Sequence, residues 1–442
     1  MALGLWAQTA REEIKANKFL SASNYLDYDN YPATKVLTPA PKGYEPYLMN
    51  HYGRHGSRWL TSENSYLNPL ETLRKAKEQG KLTATGEDVL RQVEEIYKTS
   101  IKRTGDLSSV GERQHHGIGK RMVQNFPEIF KKEGVHIDAR STVVIRCILS
   151  MVAECEEMAA ANPTATFHND ASESLQYYLN QPRTDIIKKA REKSRELRHE
   201  KEREFFKNSK PERLMGVLFN DAQWVNDSLK GGAPLVYQLF DVASNMQSHE
   251  YNLDLYPIFT EDEIYYQWRM RNIRWYLDYA ASPQTGGVLP FSQANLLKDI
   301  IQVADTTTQT GAVLRFGHEV CVMPLACLLE LGNCGAKVDD LEKLDEQWRN
   351  YKIFPMACNI QLVFYRPVNG KGDILVKALL NEREVTLPVK TKQYPYYKWK
   401  DLRKYYQGKL EWFEEKQKES ASNYTWSSSA PRRWKTCSTS AT

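Results

Sequence analysis

Three segments of the chain repeat one grammar: a short apolar strand, a loop of polar or basic residues, then an amphipathic helix. The first runs Pro46-Tyr47-Leu48-Met49-Asn50-His51-Tyr52 into Gly53-Arg54-His55-Gly56-Ser57-Arg58. The second runs from Val135 to Thr142 and into a helix carrying Ile145, Ile148, Leu149 and Val152, the i, i+3, i+4, i+7 spacing of one helical face. The third runs Ala312-Val313-Leu314-Arg315-Phe316 into Gly317-His318-Glu319. The helix after it places Val322, Leu325, Ala326 and Leu329 on one face and is expected to stop at Gly332, with Pro324 in its first turn or kinking it. Strands alternating with helices predict an α/β fold, a largely parallel sheet flanked by helices. In such sheets ligands bind beyond the carboxyl ends of the strands. All three polar loops lie at such ends, so they are expected to converge.

Further strands are expected at 356–366, 374–380 and 384–387, with Asn381-Glu382-Arg383 as a hairpin loop. Helices are expected over 399–416 and 109–125, the latter opened by a capping box between Ser109 and Glu112. Residues 155–305 differ: they hold long charged helical patterns and few strand signals. Within them, 183–213 carry twelve Lys and Arg against seven Asp and Glu, the pattern of a solvated helix laced with i,i+4 pairs or of a basic wall facing a polyanion. The organisation read from this is a discontinuous α/β catalytic domain (20–154 and 306–418), an inserted α-helical cap (155–305) and a disordered Ser/Thr-rich tail (419–442).

Composition narrows the function classes. Of 442 residues, 41% are apolar and 26% charged, which suits a globular chain, and no apolar run approaches the roughly 18 residues of a membrane span. A net charge of +5 does not argue for nucleic acid. Seven cysteines without a C-x-x-C pair argue against a zinc ribbon or a thioredoxin-like motif. The apolar N-terminus, uncharged until Arg11, reads as an ordinary terminal turn or as the stump of a signal peptide.

The chemistry concentrates in Arg54-His55-Gly56-Ser57-Arg58. Guanidinium forks match phosphate oxygens bidentately. A histidine between two of them is held near any bound phosphoryl group, where imidazole can attack phosphorus in line while the arginines neutralise charge. Gly56 is expected to let backbone approach the ligand. His318 can hydrogen-bond a phosphoryl oxygen, and Glu319 can protonate the departing alkoxide. Arg146, at the start of the second helix, can add a third guanidinium at a helix N-terminus. His51 reads as structural; His115 and His116 read as surface residues, with no carboxylate partner evident.

These residues resemble the histidine acid phosphatases, the branch of the histidine phosphatase superfamily that includes phytases. In detail they most resemble the multiple inositol polyphosphate phosphatases. Leu107-Ser108-Ser109-Val110-Gly111-Glu112-Arg113-Gln114 resembles that family's L-T-x-x-G-x-x-Q, and Leu314-Arg315-Phe316-Gly317-His318 resembles its L-R-F-G-H. Residues 357–360 and 376–382 resemble its late strands, so the resemblance covers roughly 45–160 and 310–405. It implies His55 as nucleophile forming a phosphohistidine. It also implies Arg54, Arg58 and Arg146 as phosphate clamp, His318 assisting, and Glu319 as proton donor. It implies a small phosphorylated substrate such as phytate, no metal or organic cofactor, and a secreted or periplasmic location. Lys102, Arg103, Lys188 and Lys189 are candidates to contact phosphates that are not being cleaved. Two positions depart from the pattern: Leu60 stands where proline is common, and His318-Glu319-Val320 replaces His-Ala-Glu, putting the carboxylate in the His-Asp register of other branches. A sugar-phosphate phosphatase, a phosphoester-binding protein without a working acid, and a mutase stay open as alternatives.

Overall fold

The structure is a computed structural model that describes residues 8–28, 37–182 and 184–428. The first seven residues and those after 428 lie outside the described residues, and with them the N-terminal reading and most of the tail. Residues 419–428, expected in the disordered tail, belong instead to the last helix, Trp399–Ser428.

Eight strands make one sheet: β1 Tyr44–Arg54, β2 His136–Ser141, β3 Thr166–Asp170, β4 Gly311–Gly317, β5 Asn359–Pro367, β6 Leu375–Leu380, β7 Arg383–Val385 and β8 Tyr397–Lys398. The order is β3-β2-β4-β1-β5-β6-β7, with β8 on β6. The expectation of a largely parallel sheet holds only for the half from β3 to β1; β1–β5, β5–β6, β6–β7 and β6–β8 are antiparallel. Short connections explain β5–β6 and β6–β7, because parallel neighbours need a long crossover. Leu380 pairs Arg383 across a two-residue loop in which Asn381 and Glu382 both have positive φ, as a hairpin turn of this length requires.

β4 is buried along its whole length, as befits a central strand covered on both faces. Its one charged side chain, Arg315, is neutralised locally: Nε donates to Asp299 Oδ2 at 2.8 Å and Nη1 to Asn50 Oδ1 at 2.6 Å. That cluster ties β4, β1 and the Ala294–Thr306 helix together.

Packing does not follow the expected cap boundaries. β3 and all but the last residue of the Ala294–Thr306 helix fall within 155–305, yet β3 pairs with β2, and Asn50 of β1 donates to Ile300 O at 3.1 Å. Conversely, Tyr66, Leu70, Leu73, Val89 and Val93 from the helices Asn64–Glu78 and Ala84–Ser100 share one apolar core with Leu214, Leu239, Phe240 and Trp268. The helical assembly therefore draws on chain from both sides of β2.

Helix Ile145–Ala161 corrects a second expectation. Ile145, Leu149 and Val152 are 69%, 47% and 36% exposed, while Cys147, Ser150, Met151, Glu154, Cys155 and Met158 are buried. The neighbouring helix Ser109–Asn125 decides the face. Its Gly119 approaches so closely that a Cβ there would lie 2.8 Å from Glu154 O, and its His115 offers a partner to the Glu154 carboxyl. His115 is thus not a surface residue: it is fully buried, with Nδ1 2.7 Å from Glu154 Oε1. His116 is half-buried, with Nδ1 3.0 Å from Glu157 Oε1. The helix start is also shifted by one residue, since Ser108, not Ser109, is the N-cap and its Oγ accepts from Gly111 N at 3.2 Å. His51 is buried, with its ring 5.2 Å from that of Phe316, as its structural reading requires.

Candidate active site

Strand register brings the three polar loops together. Arg54 of β1 pairs Gly317 of β4, and Ser141 of β2 pairs Phe316 of β4, so three strand ends lie side by side. Backbone bonds then pin the first loop: Arg54 N donates to Cys358 O at 2.8 Å, His55 N to Gly317 O at 3.0 Å, and Ala357 N to His55 O at 3.0 Å.

His55 is fully buried, and its Nδ1 lies 2.9 Å from Gly56 O. A carbonyl only accepts, so Nδ1 carries the proton and Nε2 keeps its lone pair. Burial holds this imidazole well below its usual pKa; the pull of Glu319 opposes that shift, and Arg54 adds to it. Nε2 faces Glu319 Oε2 at 3.6 Å. The carboxylate therefore points into the cleft despite its His-Glu register. It also lies 3.0 Å from Arg54 Nε. Burial would raise the Glu319 pKa, but Arg54, His55 and Arg58 outweigh it and hold the carboxyl well below the usual carboxylate range. Arg54 is itself anchored from behind, where Nη1 donates to Asn24 Oδ1 at 2.8 Å and to Phe354 O at 2.7 Å.

Arg58 donates from Nη1 to Trp59 O at 2.8 Å; burial, with Arg54 and Arg146 nearby, pushes it down to about 10, still cationic at neutral pH. Arg146 Nη1 lies 3.3 Å from Gly105 O. The His318 ring stands edge-on to His55, centroids 5.6 Å apart, with Nε2 3.3 Å from Thr142 Oγ1. Burial lowers the His318 pKa to about 4, so its imidazole is neutral as well. The structure thus places all six predicted side chains around one cleft. The Nε2 lone pair of the neutral His55 ring faces a guanidinium-ringed pocket that the Glu319 carboxylate occupies.

Gly56 serves a different purpose from the one expected. A Cβ there would lie 2.4 Å from Gly111 O, and a Cβ on Gly111 would lie 2.2 Å from Ser57 O. The glycines let the Ser109–Asn125 helix seat directly behind the loop, where Gln114 Oε1 accepts from Ser57 N at 2.9 Å. Ser150 Oγ accepts from Gly56 N at 3.1 Å from the other side. Gly111→Ala must push this loop off its seat, and displacements near 1 Å cost roughly a hundredfold in rate. We expect phosphatase turnover to fall by about that factor with the helix content unchanged; circular dichroism and initial rates on p-nitrophenyl phosphate check it.

Several residues at the site carry no signal in the sequence. Pro324 sits well inside the helix Glu319–Leu328, not in its first turn, and removes the donor that Val320 O would otherwise accept. Gln181 Nε2 from the helical assembly donates to that carbonyl instead, and Gln181 Oε1 accepts from Arg191. The Arg191 guanidinium lies 5.7 Å from the ring centroid of Tyr279. Asn24, Gln181, Arg191 and Tyr279 fall in irregular or charged stretches without periodicity, whereas Gln114 closes the Leu107–Gln114 motif. Of the expected accessory cations, Lys188 pairs with Asp185 at 3.0 Å and Lys189 reaches Ser420. Lys102 is exposed. Arg103 lies near the clamp, flat against Trp59 at 4.2 Å. Leu60, in place of proline, donates its N–H to Tyr66 Oη at 2.8 Å, a bond proline would forfeit.

His55, His318 and Glu319 present ligand atoms within 4.8 Å of one another, a spacing that fits a metal ion. Three surrounding guanidiniums make the pocket attractive to anions rather than cations.

The family model of the histidine phosphatase superfamily (branch 2) matches residues 53–381, and the chain belongs to that family. No curated protein matches it. Among solved structures, the Bifidobacterium longum multiple inositol polyphosphate phosphatase, in complex with inositol hexasulfate, superposes with a TM-score of 0.67 at 16% identity, covering 87% of this chain and 96% of that one. The phytase from D. castellii gives 0.58 at 13% identity over 83% of this chain and 79% of that one. Hafnia alvei phytase gives 0.51 at 12% over 84% and 98%. These likenesses concern the fold. Among the described residues no helix is long and apolar enough to cross a membrane.

Proposed function

We propose that this phosphatase removes phosphate from inositol polyphosphates such as phytate through a phosphohistidine on His55. The observation that carries the reading is the His55 ring itself: its Nδ1 proton is committed to Gly56 O, and its Nε2 lone pair opens on a pocket ringed by Arg54, Arg58 and Arg146. An arriving phosphoryl group displaces the Glu319 carboxylate from Arg54, exchanging one anion for another. The substrate arrives as a monoanion and passes its proton to the displaced Glu319; Nε2 attacks phosphorus, the P–O bond of the ester breaks, and Glu319 gives that proton to the leaving oxygen. Gly56 O then stabilises the positive imidazolium ring. Water, deprotonated by the same carboxylate, hydrolyses the Nε2–P bond and returns the proton to Glu319. His318 and the arginines hold the equatorial oxygens.

The sheet carries this chemistry, and the helical assembly supplies the opposite wall through Gln181, Arg191 and Tyr279. Support for a polyanionic substrate comes from the excess of guanidinium over the single carboxylate in the pocket, and from the fold shared with inositol polyphosphate phosphatases. Work outside the cytoplasm, secreted or periplasmic, belongs to this proposal through the family resemblance. The test is phosphate release from phytate and from glucose 6-phosphate at matched concentrations. The expected result is a kcat/KM for phytate at least tenfold higher. A preference for glucose 6-phosphate replaces this reading with the sugar-phosphate one. Failure on both, with phosphate still bound, leaves a phosphoester-binding protein.

A further inference from the structure

Helix Ile145–Ala161 begins at the clamp and turns a row of aliphatic side chains to solvent. Ile145 precedes Arg146 and Leu149 and Val152 follow it along the helix, although an outward helix face is ordinarily polar. Leu149 and Val152, with Trp59 and Leu107, form the apolar wall of a groove of about 590 Å³. The groove adjoins the clamp through neighbouring residues, although none of the six site side chains lines it. Trp59 O holds Arg58, and Leu149 lies one turn beyond Arg146.

Its charges exclude a second phosphate. Arg103 is already paired with Asp106 at 2.9 Å and lies against Trp59. Glu112 and Glu156 line the same groove with their carboxylates. The remaining phosphates of a polyanion are repelled there; an uncharged apolar chain is not. From Arg146 of the clamp to Val152 the helix spans roughly 9 Å at 1.5 Å per residue, about the length of an extended eight-carbon chain.

We infer that the clamp also serves a second substrate class, phosphomonoesters of unbranched alkyl alcohols, whose chain lies along Leu149, Val152 and Trp59. This rests on the phosphomonoesterase reading but not on phytate as the substrate. The chain does not take part in the chemistry; it adds affinity as each methylene leaves water. A half-open groove returns about twofold per methylene, or roughly a hundredfold from methyl to octyl phosphate.

The experiment is kcat/KM for methyl, butyl, hexyl and octyl phosphate, each below its micellar concentration, with the wild-type enzyme and with Leu149→Ser/Val152→Ser. In the wild type the value rises with chain length, mainly through KM. In the double variant the octyl-to-methyl ratio drops at least tenfold, with circular dichroism confirming the fold. A flat wild-type series, or a slope that survives in the variant, overturns the inference. A flat series accompanied by concentration-dependent dimerisation assigns the row to contact between copies and overturns it too. If no alkyl phosphate is hydrolysed, calorimetric binding of methyl and octyl phosphate separates the two readings. Octyl binding at least tenfold tighter sustains the groove while phosphomonoester hydrolysis fails; equal binding removes the groove.

Discussion

His55→Ala loses at least ten-thousandfold in kcat on every phosphomonoester, whatever its leaving group, because the group that bonds to phosphorus is gone. Leaving-group independence is the informative part. A residue that only shaped the pocket would cost more on poor leaving groups than on good ones, or would act through KM. The clamp survives the substitution: Arg54 stays anchored by Asn24 Oδ1 and Phe354 O, and Arg58 by Trp59 O. Inorganic phosphate should therefore still bind within about tenfold of the wild-type affinity, as calorimetry can read. The truncated side chain leaves an imidazole-sized space beside Gly56, so added imidazole should restore part of the turnover. Wild-type protein quenched during turnover should carry an acid-labile phosphoryl group on His55, absent from the variant. Retention of more than a hundredth of the rate, or a labelled site elsewhere in the chain, would remove His55 from its assigned role.

Where the sequence was legible, local chemistry and global fold agreed. Arg54-His55-Gly56 and His318-Glu319 each follow a strand whose end the register aligns with its neighbours, so their convergence followed from alternation alone. The buried face of the Ile145–Ala161 helix differs from the apolar stripe because apolar spacing says that a helix is amphipathic, not which stripe a neighbour will cover. Here His115 and Gly119 made a stripe of Cys147, Ser150 and Glu154 the buried one. Asn24 and Gln181 were invisible for a related reason. Each satisfies a group that only the assembled fold leaves open, the inner nitrogen of Arg54 in one case and the carbonyl freed by Pro324 in the other. The short Asn381-Glu382 turn signals only the antiparallel β6–β7 pair; the long-range β1–β5 pairing has no local sequence signal.

Glu319→Gln separates substrates by their leaving groups. An alkoxide needs a proton as the P–O bond breaks, and loss of the acid costs roughly a hundredfold or more. p-Nitrophenolate leaves without one, so its turnover stays within about tenfold of wild type. The pH dependence carries the stronger test. Arg54, His55 and Arg58 hold the free carboxyl well below the usual range, so the resting enzyme does not supply the proton from Glu319. The substrate monoanion brings it instead: its charge displaces Glu319 from Arg54, raises the carboxyl pKa and hands over the proton. Reactive complexes then form only while the ester is a monoanion, below its second pKa of about 6. Wild-type kcat/KM on an alkyl phosphate should accordingly fall about tenfold per pH unit above that point. On the acid side His55, held neutral by burial well below its ordinary pKa, imposes no loss as pH drops from 7 towards 5. Glu319→Gln should abolish the alkaline fall by removing the group that needs the proton, leaving a low, flatter profile on alkyl phosphates. An unchanged alkaline limb in the variant would place the proton donor on another residue.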